Sequence, residues 1–341
     1  DPTAVIGGRL RAFGSNARLG RGHYMVAEAD ESDRSFLKLS PTVAVITNLD
    51  REHMEAYGGF DDLQQAFIDF ANKVPFYGAV IACADDAELR RILPRMTRRA
   101  TTYGIDAPDA DITAVNLTLA GFGSTCSVTR RSSRARDAEV TTLGRLHLQV
   151  PGRHSVLNAL AAVAAGLELG APFAAIAAAL ADFQGAERRF ERRGVVNGIT
   201  VVDDYGHHPT EIAAVLAAAR AAAPARIVVA FQPHRYSRTA QLLPEFAAAL
   251  ALADEVVLTD IYAASEEPIP GVTVEALAEA VNRRRAAPVT VVKRLEDVPA
   301  AVAVLARPGD LVITLGAGSI GSVPALLVRE LERRHGTEVA S

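Results

Sequence analysis

Two short runs hold the densest chemistry in this sequence: DDYGHHPTE at 203–211 and FQPHRYSRT at 231–239. Between them they supply carboxylates, imidazoles, a phenol and guanidiniums. Arg235 and Arg238 are suited to gripping carboxylate or phosphate oxygens in a forked geometry, which lysine cannot do. His207 and His208 add ionisable groups to the first run. A plainer explanation is helix capping, because Pro209-Thr210-Glu211 opens a helix well by itself. Capping requires one or two polar groups. The number of ionisable side chains gathered here exceeds that and points to a functional site.

These runs need elements to hold them. Ile199–Val202 and Ile227–Phe231 are apolar and β-branched, and each leads directly into one of the two polar runs. A helix of about four turns fits between them. Such a βαβ unit places its strands parallel, with both polar ends at one edge. In open α/β sheets that carboxyl edge is where ligands bind. We therefore expect Asp203, Asp204, Tyr205, His207, His208, His234, Arg235 and Arg238 to meet at adjacent strand ends. The alternation continues with strands over Glu255–Thr259, Val289–Val292 and Leu311–Leu315. That pattern predicts a doubly wound sheet from about Val195 onward.

The first half reads differently. His23–Ala29 suggests a strand ending in the acidic run EADESD at 28–33, and Thr42–Thr47 a buried strand leading to Glu52, His53 and Glu55. Alone, the acidic run reads more readily as a solvated, N-capping loop before Ser35-Phe36-Leu37. Two such loops at neighbouring strand ends suit a hard divalent cation that also binds phosphate. A helix is expected over Asp61–Val74, a strand over Ala79–Ala84, and Asp85-Asp86 should cap a helix over Ala87–Leu93. Alternating residues in Ala110–Leu119, Ser124–Thr129 and Arg145–Val150 predict an antiparallel patch beside a parallel sheet. Arg130–Arg136 reads as a polar hairpin or disordered turn. Pro151-Gly152-Arg153-His154 opens an Ala-rich helix over Ser155–Leu169, with Asn158 one turn from His154 on the same face. A second helix covers Pro172–Phe183. The Gly- and Arg-rich joint Gln184–Gly194, with Arg188 and Arg189, places a domain boundary near Glu187. LGAGSIG at 315–321 matches G-x-G-x-x-G, yet only 20 residues follow Gly321. That leaves no room for a second βαβ unit and a ribose-binding acid, so a tight strand–helix turn is expected rather than a nicotinamide site.

Composition narrows the function classes. A chain of 341 residues exceeds one ordinary core, so two domains are expected. The net charge of −4, 6% aromatic content and absence of Trp argue against a nucleic-acid surface. Cys83 and Cys126, the only cysteines, provide neither a disulfide framework nor a zinc site, and fit a reducing, cytoplasmic setting. No run reaches the ~20 apolar residues of a membrane span, so no membrane partner is expected.

These segments together resemble the Mur ligase family across nearly the whole chain. The matching runs are AEADESD at 27–33, TNLDREHMEAYGGF at 47–60, PGRHSVLNALAA at 151–162, GAERRFE at 185–191, DDYGHHPTE, FQPHRYSRT, YAASEEPIPG at 262–271 and LGAGSIG. The resemblance implies an α/β fold. A truncated central mononucleotide-binding ATPase domain with a small antiparallel patch would occupy 1–187. A C-terminal doubly wound, Rossmann-like domain would occupy 188–341. It also implies ATP- and Mg²⁺-dependent joining of L-alanine to UDP-N-acetylmuramate through an acyl phosphate, in peptidoglycan precursor synthesis. By the same match Glu28 and His53 would hold Mg²⁺, Asn158 the adenine, Arg189 the nucleotide phosphates and Asp204 the ribose. Tyr205, His207, Arg235 and Arg238 would line the substrate side, with His207, Arg235 and Arg238 acting in the chemistry.

Two departures qualify the match. Ser155 and Glu52 stand where the family often has Asn and Asp. The family's phosphate loop, G-T-H-G-K-[ST]-T, has no counterpart, since no G-K-[ST] occurs in the chain, which starts at Asp1 without Met. The expectation is therefore a ligase fragment, inactive alone. The competing expectation is a non-catalytic ligand- or partner-binding protein that has lost the phosphate loop. A dinucleotide-dependent oxidoreductase, through LGAGSIG, is the third reading.

Overall fold

The computed structural model describes residues 1–10, 14–132, 138–222 and 226–339. The chain divides into two compact units, one of Asp1–Leu119 with Gly123–Gln184 and one of Ala120–Phe122 with Gly185–Ser341.

In the first unit a three-stranded sheet, β1 (Thr3–Leu10), β2 (Ser15–Arg18) and β3 (Met25–Ala27), has the order β2-β1-β3. The main sheet runs in order through β4 (Val43–Ile46), β5 (Ala79–Cys83), β6 (Ala100–Gly104), β7 (Ile112–Ala120), β8 (Gly123–Arg131) and β9 (Val140–Leu148). Strands β4 to β7 are parallel, and β8 pairs antiparallel with β9. The unit's helices are α1 (Phe60–Asn72), α2 (Ala87–Ile92), α3 (Arg153–Glu168) and α4 (Phe173–Ala181). Asp86 caps α2 as expected, accepting the Leu89 N–H at 2.7 Å. One apolar cluster joins β5, α1 and α3 through Ile81, Leu63 and Leu160, all buried.

Several expectations need correction. The strand anticipated over His23–Ala29 is only Met25–Ala27, is exposed along its length, and lies in a different sheet from β4. The two acidic loops therefore do not end neighbouring, hydrogen-bonded strands. β4, expected to be buried, is an edge strand with Val45 exposed. Strands β1, β2 and β6 were not anticipated, since Gly7-Gly8 and the Thr101-Thr102 pair blur their patterns. Of the expected hairpin at 130–136, Arg130 and Arg131 end β8, and 133–137 lie outside the described residues.

The second unit is a six-stranded sheet ordered β10-β11-β15-β12-β13-β14. Its strands are β10 (Glu191–Val196), β11 (Ile199–Asp204), β12 (Ile227–Phe231), β13 (Glu255–Leu258), β14 (Thr290–Val291) and β15 (Leu311–Leu315). All neighbours are parallel except β10, which runs antiparallel to β11. Its helices are α5 (Pro209–Ala222), α6 (Tyr236–Gln241), α7 (Leu243–Leu250), α8 (Val274–Asn282), α9 (Val298–Leu305) and α10 (Val323–Val339). Strand residues alternate between two apolar layers. Val202, Val229, Phe231 and Ile313 face Ile212, Phe246 and Leu277 on α5, α7 and α8. Val201, Val228, Ala230 and Val312 face Val302 and Leu327 on α9 and α10. Burial on both faces explains why these strands read as continuous apolar runs.

Two more corrections follow. The joint expected over Gln184–Gly194 is shorter, because Glu191–Val196 forms edge strand β10. Its charges and the register shift between Arg192 and Gly194 hid it, and both are common devices of edge strands. Strand β15 lies between β11 and β12, so their ends are not adjacent.

Arg188 and Phe190 are bonded to β11 and its turn, which leaves Asp182–Glu187 as the connection. Limited digestion after Glu187 is expected to release a stable C-terminal piece. That piece keeps both apolar layers and loses Phe122, whose ring lies 5.9 Å from that of Phe190. A protected N-terminal piece with a degraded C-terminal one would refute independent folding of 188–341.

Candidate active site

The carboxyl end of β11 is built around two buried aspartates. Asp204 is 4% exposed, and its carboxylate accepts the N–H groups of Phe190 and Gly206, each at 2.7 Å. Burial pushes its carboxyl up to about 6 despite those bonds. Asp203, 1% exposed, accepts from Arg188 Nε at 2.9 Å and from Thr314 Oγ1 at 2.9 Å. The chain then turns through Tyr205–His208 into α5. Glu211 reaches back to accept the N–H groups of His207 (2.9 Å) and His208 (3.2 Å), as in a capping box. The capping explanation thus accounts for Glu211 and not for the rings beside it. His208 turns inward and is buried. Tyr205 stays partly exposed, with the guanidiniums of Arg188 and Arg189 at 5.2 and 5.5 Å from its ring.

Beyond β12 the chain is tied to the end of β13. His234 and Tyr262 form a parallel bridge, and the Arg235 N–H donates to the Tyr262 carbonyl at 2.8 Å. Pro233, which has no N–H to donate, accepts through its carbonyl from the Tyr262 N–H at 2.8 Å. Arg235 has a φ of 71°, unusual for a non-glycine, and leads into α6, which carries Arg238. Four rings form a row: Tyr205 to His207 at 5.3 Å, His207 to His234 at 5.6 Å, and His234 to Tyr262 at 5.4 Å. Burial holds the His207 imidazole well below its usual range, with Arg238 acting in the same direction against Glu211. Burial, then Arg238 and Arg235, bring His234 down to about 4. Both imidazoles are therefore neutral at pH 7, and among the described residues His234 Nδ1, which is buried, has no hydrogen-bond partner. Neutral imidazoles accept protons or hydrogen bonds, and guanidiniums take carboxylates. An edge with both suits an amino acid entering as a zwitterion and reacting as an amine.

The structure thus brings Tyr205, His207, Arg235 and Arg238 to one edge, with Asp204 beneath and Arg189 at its rim, 55% exposed. Tyr262, Gln232 and Arg188 also belong there; Arg188 was expected only as part of the joint, and Tyr262 and Gln232 were not singled out. Tyr262 lies inside YAASEEPIPG just past a strand end, which was the available signal.

Glu28, His53 and Asn158 lie in the first unit. The Glu28 carboxylate accepts the Gly7 N–H at 2.5 Å. His53, with φ 55°, has carboxylate oxygens of Glu52, Glu31 and Glu55 at 3.6, 3.7 and 3.9 Å. Asn158 is exposed on α3. Among the described residues no group of three or more His, Cys, Asp or Glu could hold a metal by itself. Mg²⁺ takes one or two carboxylates and most of its other ligands from phosphate and water, so it needs no such group. Among the described residues, no helix is long and apolar enough to cross a membrane.

Comparison with known proteins agrees with this architecture. Residues 11–166 match the Mur ligase middle domain, and 188–318 match the Mur ligase glutamate ligase domain. The UDP-N-acetylmuramate–L-alanine ligase of Trichlorobacter lovleyi is 50% identical over 97% of this chain and 71% of its own length. The enzyme of the same name from Acidobacterium capsulatum is 51% identical over 98% of this chain and 70% of its own. Among solved structures, the UDP-N-acetylmuramate–alanine ligase of Thermotoga maritima has a TM-score of 0.77 and 28% identity, covering 98% of this chain and 69% of its own. The MurF ligase of Thermotoga maritima, solved in complex with ADP, shares the fold at a TM-score of 0.73 and 18% identity, over 98% of this chain and 74% of its own. The nicotinamide reading of LGAGSIG finds no support in these matches. With its two domain matches, its half-identical relatives and its parallel-sheet architecture, this chain belongs to the Mur ligase family.

Proposed function

We propose that this chain carries the amino-acid side and much of the nucleotide side of a ligase that joins L-alanine to UDP-N-acetylmuramate with ATP, in the making of peptidoglycan precursors. The observation that carries this reading is the second unit's edge. Neutral His207 and His234, with Arg235 and Arg238, sit on a chain half identical to ligases of that name. In the proposed reaction an oxygen of the lactoyl carboxylate attacks the γ-phosphorus, and the bond to ADP breaks. The alanine nitrogen then attacks the acyl carbon, loses a proton, and phosphate leaves. Arg235 and Arg238 would hold carboxylate and developing phosphate charge. His207, neutral and beside Tyr205, would take hydrogen bonds from the amine. Arg189 would reach the nucleotide phosphates and Asn158 the adenine. Asp204 holds the Tyr205 turn from beneath, and a ribose hydroxyl would have to reach a carboxylate that is only 4% exposed. Glu28 and His53 would hold Mg²⁺, which supplies charge neutralisation on the phosphates when bound.

The test joins this chain to the portion of the Trichlorobacter lovleyi ligase that it does not match and measures phosphate release. UDP-N-acetylmuramate, L-alanine and ATP together should support turnover that stops when any one is left out. The 341 residues alone, which contain no G-K-[ST], should give none. Turnover by the 341 residues would contradict the second expectation. A folded but inert chimera would favour a non-catalytic binding protein.

A further inference from the structure

The glycine run LGAGSIG and Arg188 are the features the proposed chemistry leaves unused, and they meet each other. Arg188 has a φ of 56°, and its carbonyl accepts the Tyr205 N–H at 2.7 Å. Its Nε donates to the Asp203 carboxylate at 2.9 Å, its Nη2 donates to the Gly316 carbonyl at 2.6 Å, and its guanidinium lies 5.2 Å from the Tyr205 ring. One side chain thus joins the ends of β11 and β15. The glycines follow from this packing. A Cβ on Gly321 would lie 2.7 Å from the Arg188 guanidinium carbon, and a Cβ on Gly318 would lie 2.7 Å from the Tyr262 ring. Gln232 Oε1 accepts the Ile320 N–H at 2.9 Å and fastens the same turn to the end of β12. Tyr262 in turn stacks on His234 and accepts the Arg235 N–H.

We propose that Arg188 is a positioning residue that locks the Tyr205–His207 turn to the Gly316–Gly321 turn and so sets the amino-acid side of the site. The proposal rests on the ligase reading for what the site binds, and not for the lock itself. The plain alternative is charge compensation of buried Asp203. Arg188→Lys separates the two, since lysine keeps the charge and loses the fork that reaches Asp203 and Gly316 together.

Amide hydrogen exchange of the 341-residue chain, without ligand, gives a readout independent of activity. Arg188→Lys should speed exchange about tenfold or more in 205–208 and 316–322, and leave 227–231 and 255–258 at parental rates. Unchanged exchange throughout, or an equal rise across the whole second unit, would overturn the proposal. Should Arg188→Lys fail to fold, Asp203→Asn is the second variant, with the same two segments expected to loosen and the same results refuting the lock. In the chimera, Arg188→Lys should raise KM for L-alanine about tenfold or more, change kcat less than about threefold, and leave KM for ATP unaltered. A fall in kcat with no change in KM would also overturn it. If the parental chimera is inert, the ligase reading fails and the exchange pattern alone decides the lock.

Discussion

Arg235→Lys and Arg238→Lys are each expected to lower kcat of the chimera by about 10²-fold or more while leaving the melting temperature near the parental value. The magnitude follows from removal of a single donor to developing charge in other enzymes. The stability half follows from what holds this segment. Arg235 is fixed by its backbone: its N–H donates to Tyr262, and its carbonyl accepts from both the N–H and the hydroxyl of Thr239. Lysine can make the same backbone bonds. Both guanidinium charges act on His234, and that of Arg238 also on His207, which places them on the ring row. Lysine retains that charge and loses the two-pronged grip. Initial rates and thermal melts of the same preparations check this. A variant that melts much earlier yet keeps its turnover per folded molecule would make that arginine structural.

Acid should destabilise the second unit through His207 and His234. Their folded-state values lie below 6.5, so the stability they contribute is fully present above 6.5 and is lost as pH falls toward about 4. For a group held from 6.5 down to about 4 the interval is worth roughly 3 kcal/mol at most, and the partial exposure of His234 trims its share. Asp204 works in the opposite direction. Its carboxyl is raised from 3.8 to about 6, so its contribution is present below 3.8 and lost as pH rises through 6. Two groups outweigh one, and the net slope from these three favours neutral pH. Facing the histidines are Glu211 from α5, Arg235 and Arg238 around α6, Glu266, and the phenols of Tyr205 and Tyr262. His207→Gln with His234→Gln should therefore flatten the loss of stability between pH 7 and pH 4.5, and Asp204→Asn should steepen it. Urea denaturation followed by far-ultraviolet circular dichroism at the two pH values measures both. A double variant with the parental pH slope would assign the acid sensitivity to other groups.

The sequence by itself determined the class of fold and which polar residues lie at the second unit's carboxyl edge. Ile227–Phe231 is apolar at every position, and Leu311–Leu315 at every position but Thr314, because both faces of a parallel sheet are covered, and that pattern survives without any partner being known. Polar residues directly after such runs must lie at the carboxyl edge, so Asp204, Tyr205, His207 and Arg235 could be placed there from spacing alone. Tertiary structure decided which strand ends are neighbours. Periodicity along a chain carries no information on the order of strands across a sheet, so the insertion of β15 between β11 and β12 was invisible. That insertion brings LGAGSIG against Arg188, and explains Gly318 and Gly321 by side-chain contact, and Gly316 by its φ of 140°, rather than by a bound dinucleotide. Edge strands escaped for a related reason. β10 and β2 bury little, so burial imposes little pattern on them. The protonation of His207 and His234 also lay beyond the sequence, because desolvation and the approach of Arg238 arise only when α5, α6 and the end of β13 pack together.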